Sequence, residues 1–246
     1  MNLAPHEVDL IERSMIKPDA TGRRAGALYV IVIVTGIFSL VYVPAELHLT
    51  GSAGEVAESI ASNQLLYRLG ILSWLINSVA FLLLPFAFYR LFHAVHRHAG
   101  ILMVTFALLS IPISLIACGY ELDVLSLLGG KPPLQAISVE NRNAMLVQSL
   151  SSYDNGMFVA QLFWGLWLLP LGYLVVKSGM VPRVFGILLM LGCVGYLVEE
   201  VGALLYPGFG STVLAQVVNL PSAAGEIGLC FWLLLRGVRQ PSAGSA

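Results

Sequence analysis

The stretch VVNLPSAAGEIGLCFWLLLRG (217–237) is apolar enough to lie in lipid, yet it carries Glu226 near its middle. A spanning helix needs about 20 mostly apolar residues, and this run supplies them. At about 1.5 Å per residue, Glu226 lies about 15 Å from Arg236 and about 18 Å from the far end of the apolar run, close to the bilayer centre. A charged side chain at that depth costs about 2.5–3.5 kcal/mol on insertion scales, so such residues face the bundle interior rather than lipid. Asn219, Ser222, Glu226 and Cys230 recur at steps of three and four and therefore share one helical face. Pro221 removes a backbone hydrogen bond beside that stripe and predicts a kink. The run reads as a membrane helix with a polar stripe that must meet other helices.

The rest of the chain agrees. Of 246 residues, 57% are hydrophobic and only 11% are charged, against about 25% charged in ordinary globular domains. Six apolar runs are long enough to span, at 25–44, 65–84, 101–122, 156–176, 184–206 and 214–235. The expected fold is all-α, a six-helix transmembrane bundle of residues 23–237. It is flanked by a cytoplasmic segment, 1–22, and a disordered cytoplasmic tail, 238–246. The first segment lacks the order of a signal peptide, and VDLIERSMI within it reads as a short amphipathic helix. The net charge of −1 says nothing about nucleic acid, and no basic tract suggests such a partner. Cys118, Cys193 and Cys230 all fall inside apolar runs, so they read as small buried hydrophobes rather than a disulfide framework.

Lysine and arginine accumulate on cytoplasmic loops. Six spans put both termini on one side, with Arg13, Lys17, Arg23, Arg24, Arg90, Arg97, Lys177, Arg183, Arg236 and Arg239. Only Arg68, Lys131 and Arg142 fall on the other. Both termini are therefore expected in the cytoplasm. On the outer side, Ser52 and Glu55 form a capping-box pattern for a short helix running toward the second span, and residues from Asn141 onward read as helical. FLLLPFAFYRLF (81–92) echoes LWLLPLGYLVVK (166–177), which raises a duplicated hairpin, spans 2–3 and 4–5, as a parallel repeat.

Other spans carry polar stripes too. The third has Ser110, Ser114, Cys118 and Glu121; the fourth Asp154 and Gln161; the second Ser73 and Asn77; the fifth Glu199 and Glu200 near its outer end. With Asp123 and Glu226, these predict a polar, acidic interior open to the outside. Arg68 is the one cation within reach there, so Glu121 and one of Glu199 and Glu200 are expected inside with Arg68 or Asn77 nearby. Glu226 is expected to point toward the Asn77 face of the second span or the Ser114 face of the third. The ligand-binding candidates are Glu226, Asn77, Glu121, Asp154, Glu199, Glu200, Arg68, Gln161, Asn219 and Ser222.

Each has a structural alternative. Asn77 suits interhelical hydrogen bonding, Arg68 a snorkelling interface anchor, and one of the paired glutamates a solvated helix end. Gly192, Gly195 and Gly202 read as close helix packing, and Trp164 and Trp167 as bulk packing. Sequence motifs of hydrolases, metalloproteases and nucleotide-binding loops are absent. HAVHRH (93–98) lies in a short cytoplasmic turn and reads as a basic, headgroup-facing turn rather than a metal site. No catalytic residue, cofactor or metal ligand is assigned.

The runs GIFSLVYVP, YRLGILSWLINSVAFLLLPFAFYRLF, DNGMFVAQLFWGLWLLPLGYLVVKSGMVPRVFGILLMLGCVGYLVE and LPSAAGEIGLCFWLL together resemble a bacterial membrane family, domain of unknown function 4386. The likeness extends from about residue 23 to 235 and is most specific in the fourth and fifth spans. It implies one multi-pass domain in a bacterial inner membrane, and no functional residue comes with it. The His-rich turn departs from the family pattern.

Three functions fit these residues. The first is a transporter or sensor that binds a small ligand or ion, with the lipid bilayer as its other partner. An intramembrane enzyme using paired carboxylates is the second, and a structural or assembly protein with polar interhelical contacts is the third.

Overall fold

The computed structural model describes residues 18–130 and 134–238. VDLIERSMI, Lys131 and the tail from Arg239 lie outside them, as do Arg13 and Lys17 of the charge count.

Six helices are long and apolar enough to cross a membrane. They are α1 (Thr21–Leu47), α3 (Gln64–Phe92), α4 (Arg97–Gly129), α5 (Val139–Ser178), α6 (Arg183–Leu205) and a last span made of α7 (Val213–Val217) and α8 (Leu220–Arg236). A short helix, α2 (Ala53–Ser62), precedes α3. The spans follow one another round a ring: α1 packs on α3, α3 on α4, α4 on α5, α5 on α6, α6 on α8, and α8 closes back on α1.

Small residues set how closely the ring is drawn. A Cβ on Gly172 of α5 would stand 2.5 Å from the Gly186 carbonyl of α6. One on Gly192 of α6 would stand 2.5 Å from Ser222 of α8, and one on Gly26 of α1 would stand 2.6 Å from the Leu234 amide. Missing Cβ atoms thus let the backbones touch, as is usual where lipid gives helices no hydrophobic reason to associate.

Two cores fill the ring. In the half nearer the termini, Tyr29, Phe88, Phe92, Met103, Trp167, Leu171 and Leu233 pack together. In the other half, Leu47, Ile60, Tyr67, Trp74, Val124 and Leu146 form a second cluster beneath α2. The capping box is present at Ser52 and Glu55. Hydrogen bonds from the Ser52 amide and hydroxyl hold the exposed Glu55 carboxylate below its ordinary pKa. Contrary to the expected run-on into the second span, α2 ends at Asn63, where a new helix begins.

Two helices depart from regular geometry. In α1, Phe38–Tyr42 forms a π turn in which the Val43 amide reaches the Phe38 carbonyl. Pro44 follows directly and has no amide to donate to Leu40. The last span is interrupted between Val217 and Leu220, with Pro221 in the first turn of α8. The sequence predicts a kink there; the structure shows a two-residue interruption at Val218 and Asn219, both still in right-handed helical conformation.

Candidate functional site

Inside the ring is a cavity of about 440 Å³ lined by residues of all six spans. Tyr29 and Gly36 of α1, Trp74, Asn77 and Ser78 of α3, and Ser114 of α4 contribute. Trp164 and Trp167 come from α5, Tyr196 from α6, and Asn219, Ser222 and Glu226 from the last span. Gly36, Ser78 and Ser114 are small residues of the lining, and Trp74, Trp164 and Trp167 are its largest. Below it, toward the termini, aromatic rings close the bundle. Phe81 lies edge-on to Trp167 at 5.2 Å, and Tyr29 to Phe88 at 5.7 Å.

Glu226 marks the polar end of this cavity. The Tyr29 hydroxyl donates to its carboxylate at 2.8 Å. From the sequence, Glu226 is expected to point toward the Asn77 face of the second span or the Ser114 face of the third. Both line the same cavity, but the hydrogen bond goes to a tyrosine 197 residues away in the chain. Asn77 is held by α1 instead, donating to the Val32 carbonyl at 2.6 Å and to the Thr35 hydroxyl at 3.1 Å. Ser73 donates to the Thr35 carbonyl at 3.1 Å, one turn along the same seam. Ser222 donates to the Asn219 carbonyl at 2.7 Å.

A polar junction forms the wall beside it. The Glu199 carboxylate accepts from Gln161 at 3.1 Å and also from the Asn219 amide, tying α5 and α6 to the last span. The other end of Asn219, its Oδ1, is buried with no hydrogen-bond partner among the described residues, and so is the Trp74 indole nitrogen.

The expected convergence of six acids does not occur. Glu121, Asp154, Glu199 and Glu200 are not among the residues that line the cavity, and the lining is chiefly apolar and aromatic. Glu121 lies beside Cys118, Tyr67, Tyr153 and Asp154. Asp123 and Asp154 are exposed. The reason is helix length: α4 has 33 residues and α5 has 40. Glu121 and Asp154 each stand 24 residues from the terminus-side end of their helices. That is about 36 Å, beyond a hydrocarbon layer of about 30 Å. Glu200 is buried, with one carboxylate oxygen unpartnered, and Glu199 is half-buried, so neither is the solvated helix end that was expected. Arg68 is exposed on α3 and forms no ion pair with these carboxylates. It lies on the opposite side of its helix from Asn77, as nine residues at 100° each require.

The sequence reading passed over Tyr29, Trp74, Trp164 and Trp167 as site residues. Tyr29 carried one usable signal, a hydroxyl well inside an apolar span. The histidine turn is structural in this arrangement: His96 caps α4 by accepting from the Ala99 amide at 3.2 Å, and its ring rests against Tyr173.

A ring of six helices, each long and apolar enough to span, around an internal cavity defines a multi-pass, all-helical membrane protein. The chain belongs to the family described as domain of unknown function DUF4386, whose model matches residues 24–237. It is also similar to a protein from Archaeoglobus fulgidus described as "Uncharacterized protein", at 28% identity over 91 residues. That match covers 37% of this chain and 52% of the relative, so the chain spans about half the length of the curated relative it matches. No solved structure matches.

Proposed function

We propose that this protein binds a small molecule in the cavity inside its six spans, as a transporter or sensor does, with Glu226 and Tyr29 as the polar anchor. One observation supports this above the others: the cavity of about 440 Å³ is lined by the carboxylate that the sequence sets at mid-depth. Small-molecule sites are typically about 300–1,000 Å³, mostly apolar, with a few placed polar groups. Catalysis by paired carboxylates calls for two acids in one site, and Glu226 is the only acid among the described residues of the lining. The interhelical-contact reading suits Asn77, whose donors are spent on α1, and leaves Glu226 unexplained. Both termini are assigned to the cytoplasmic side of the plasma membrane on the ten-to-three basic count.

The test uses the full chain in lipid nanodiscs with N-phenyl-1-naphthylamine as probe. Saturable energy transfer from the cavity tryptophans is expected. It should weaken about tenfold in Ala223→Phe, which projects a ring from an exposed position on the cavity lining. A thermal melt checks that the variant folds. Transfer that never saturates, or that is the same in the folded variant, would refute the reading.

A further inference from the structure

We infer that the cavity opens sideways to the lipid between α1 and the last span, and that it takes a membrane-dissolved molecule with a hydrogen-bond-donating, non-anionic head. This rests on the binding reading above and names the class of its ligand.

The exposed residues of the lining locate the opening. A side chain that lines an internal cavity and is also exposed on the surface stands at the rim. Among the lining residues these are Ile37, Leu40 and Val41 of α1 and Ala223 and Ile227 of α8. Val41 is 61% exposed and Ile37 52%. Every lining residue of α3, α4, α5 and α6 is buried or half-buried, so the ring is closed on those sides. Nearer the termini, α1 and α8 do touch. There the Gly26 backbone meets Leu233 and Leu234, and the Cys230 thiol donates to the Gly26 carbonyl at 3.6 Å. The gap therefore lies in the half of the membrane remote from the termini.

Depth and chemistry say what the rim faces. Ile37 stands about 24 Å and Val41 about 30 Å along α1 from Thr21; Ala223 stands about 20 Å from Arg236. The rim thus runs within the hydrocarbon layer of about 30 Å. All five rim side chains are aliphatic, as suits lipid and not a water-filled vestibule. Both rim helices are irregular beside it, through the π turn of α1 and the interruption before Leu220. Single π turns recur at functional sites.

Polarity sets the head group. Among the described residues, Glu226 is the only charged one in the lining, and no Lys, Arg or His joins it. An anionic head would add a second negative charge at low dielectric without a cation, which is strongly unfavourable. A hydroxyl, amide or ammonium head can donate to the Glu226 carboxylate; an anionic head cannot.

Access and head-group preference are tested on Trp232→Phe. Of four tryptophans, this leaves Trp74, Trp164 and Trp167, all on the cavity. In nanodiscs, a chain-brominated phosphatidylcholine should quench their emission strongly, and aqueous iodide weakly. Dibrominated octadecanol should quench saturably, with a half-saturation about tenfold or more below that of the matching octadecanoic acid. Iodide quenching better than the brominated lipid would overturn the lateral opening. Acid binding as tightly as the alcohol would overturn the head-group assignment. In either case saturable naphthylamine binding would leave the cavity site standing. If neither naphthylamine nor any brominated probe saturates, the binding reading falls and this inference with it.

Discussion

The hydrogen bond from Tyr29 to Glu226 should be measurable as a coupling energy. Tyr29→Phe deletes one hydroxyl and keeps the ring against Phe88 at 5.7 Å and Trp167 at 6.3 Å. Glu226→Leu deletes the acceptor. At 2.8 Å the bond is well formed, and bonds to charged groups in water-soluble proteins are worth about 1.5–3 kcal/mol. In membranes the unfolded reference also finds partners, and measured couplings average about 0.6 with a maximum near 1.7 kcal/mol. The bond lies at mid-depth with Tyr29 fully buried, so a coupling of about 1–1.5 kcal/mol is expected, at the upper end of the membrane range. The assay is a double-mutant cycle on reversible unfolding in bicelles by steric trapping. Distant sites add within about 0.3–0.5 kcal/mol. A coupling inside that band would refute the claim that this pair joins α1 to the last span.

Three further outcomes follow from the same geometry. Gly172→Val should destabilise the α5–α6 contact by about 1–3 kcal/mol, since even a Cβ would meet the Gly186 carbonyl at 2.5 Å; thermal unfolding in nanodiscs checks it. The α2 cap should be acid-sensitive: Glu55 has a folded pKa below its unfolded one. Its contribution is thus complete above the unfolded value of about 4.3 and is lost as pH falls through the lower folded value. Amide exchange in α2 should rise in acid; Ser52→Ala, which keeps the backbone amide donor, should weaken that pH dependence, and Glu55→Gln should remove it. Cysteines placed at Ser211 and Ser242 should react with impermeant thiol reagents from opposite faces, Ser242 from the cytoplasm; reaction from one face would break the topology.

The sequence by itself determined the number of spans and the inward position of Glu226. Both follow from the same cost, that of placing polar groups in hydrocarbon, and that cost is local to each run. Ser52 with Glu55 and Pro221 were legible for a similar reason. Caps and proline breaks act within one turn of helix. What those features did not carry was partnership. Tyr29 and Glu226 lie at opposite ends of the chain, and only the closing of α8 onto α1 brings them to 2.8 Å. The acids were misread because hydropathy ends where the apolar run ends, whereas α4 and α5 continue as helices past it. Glu121 and Asp154 were set at the cavity by their helical face, and helix length carried them beyond it. Arg68 fell away for the matching reason, since the face of a helix that meets protein is chosen by its neighbours. The cavity itself is a property of the ring. Gly36, Ser78 and Ser114 line it with Trp74, Trp164 and Trp167 only once six helices surround one axis. No spacing within a single span encodes which residues end on opposite sides of a void.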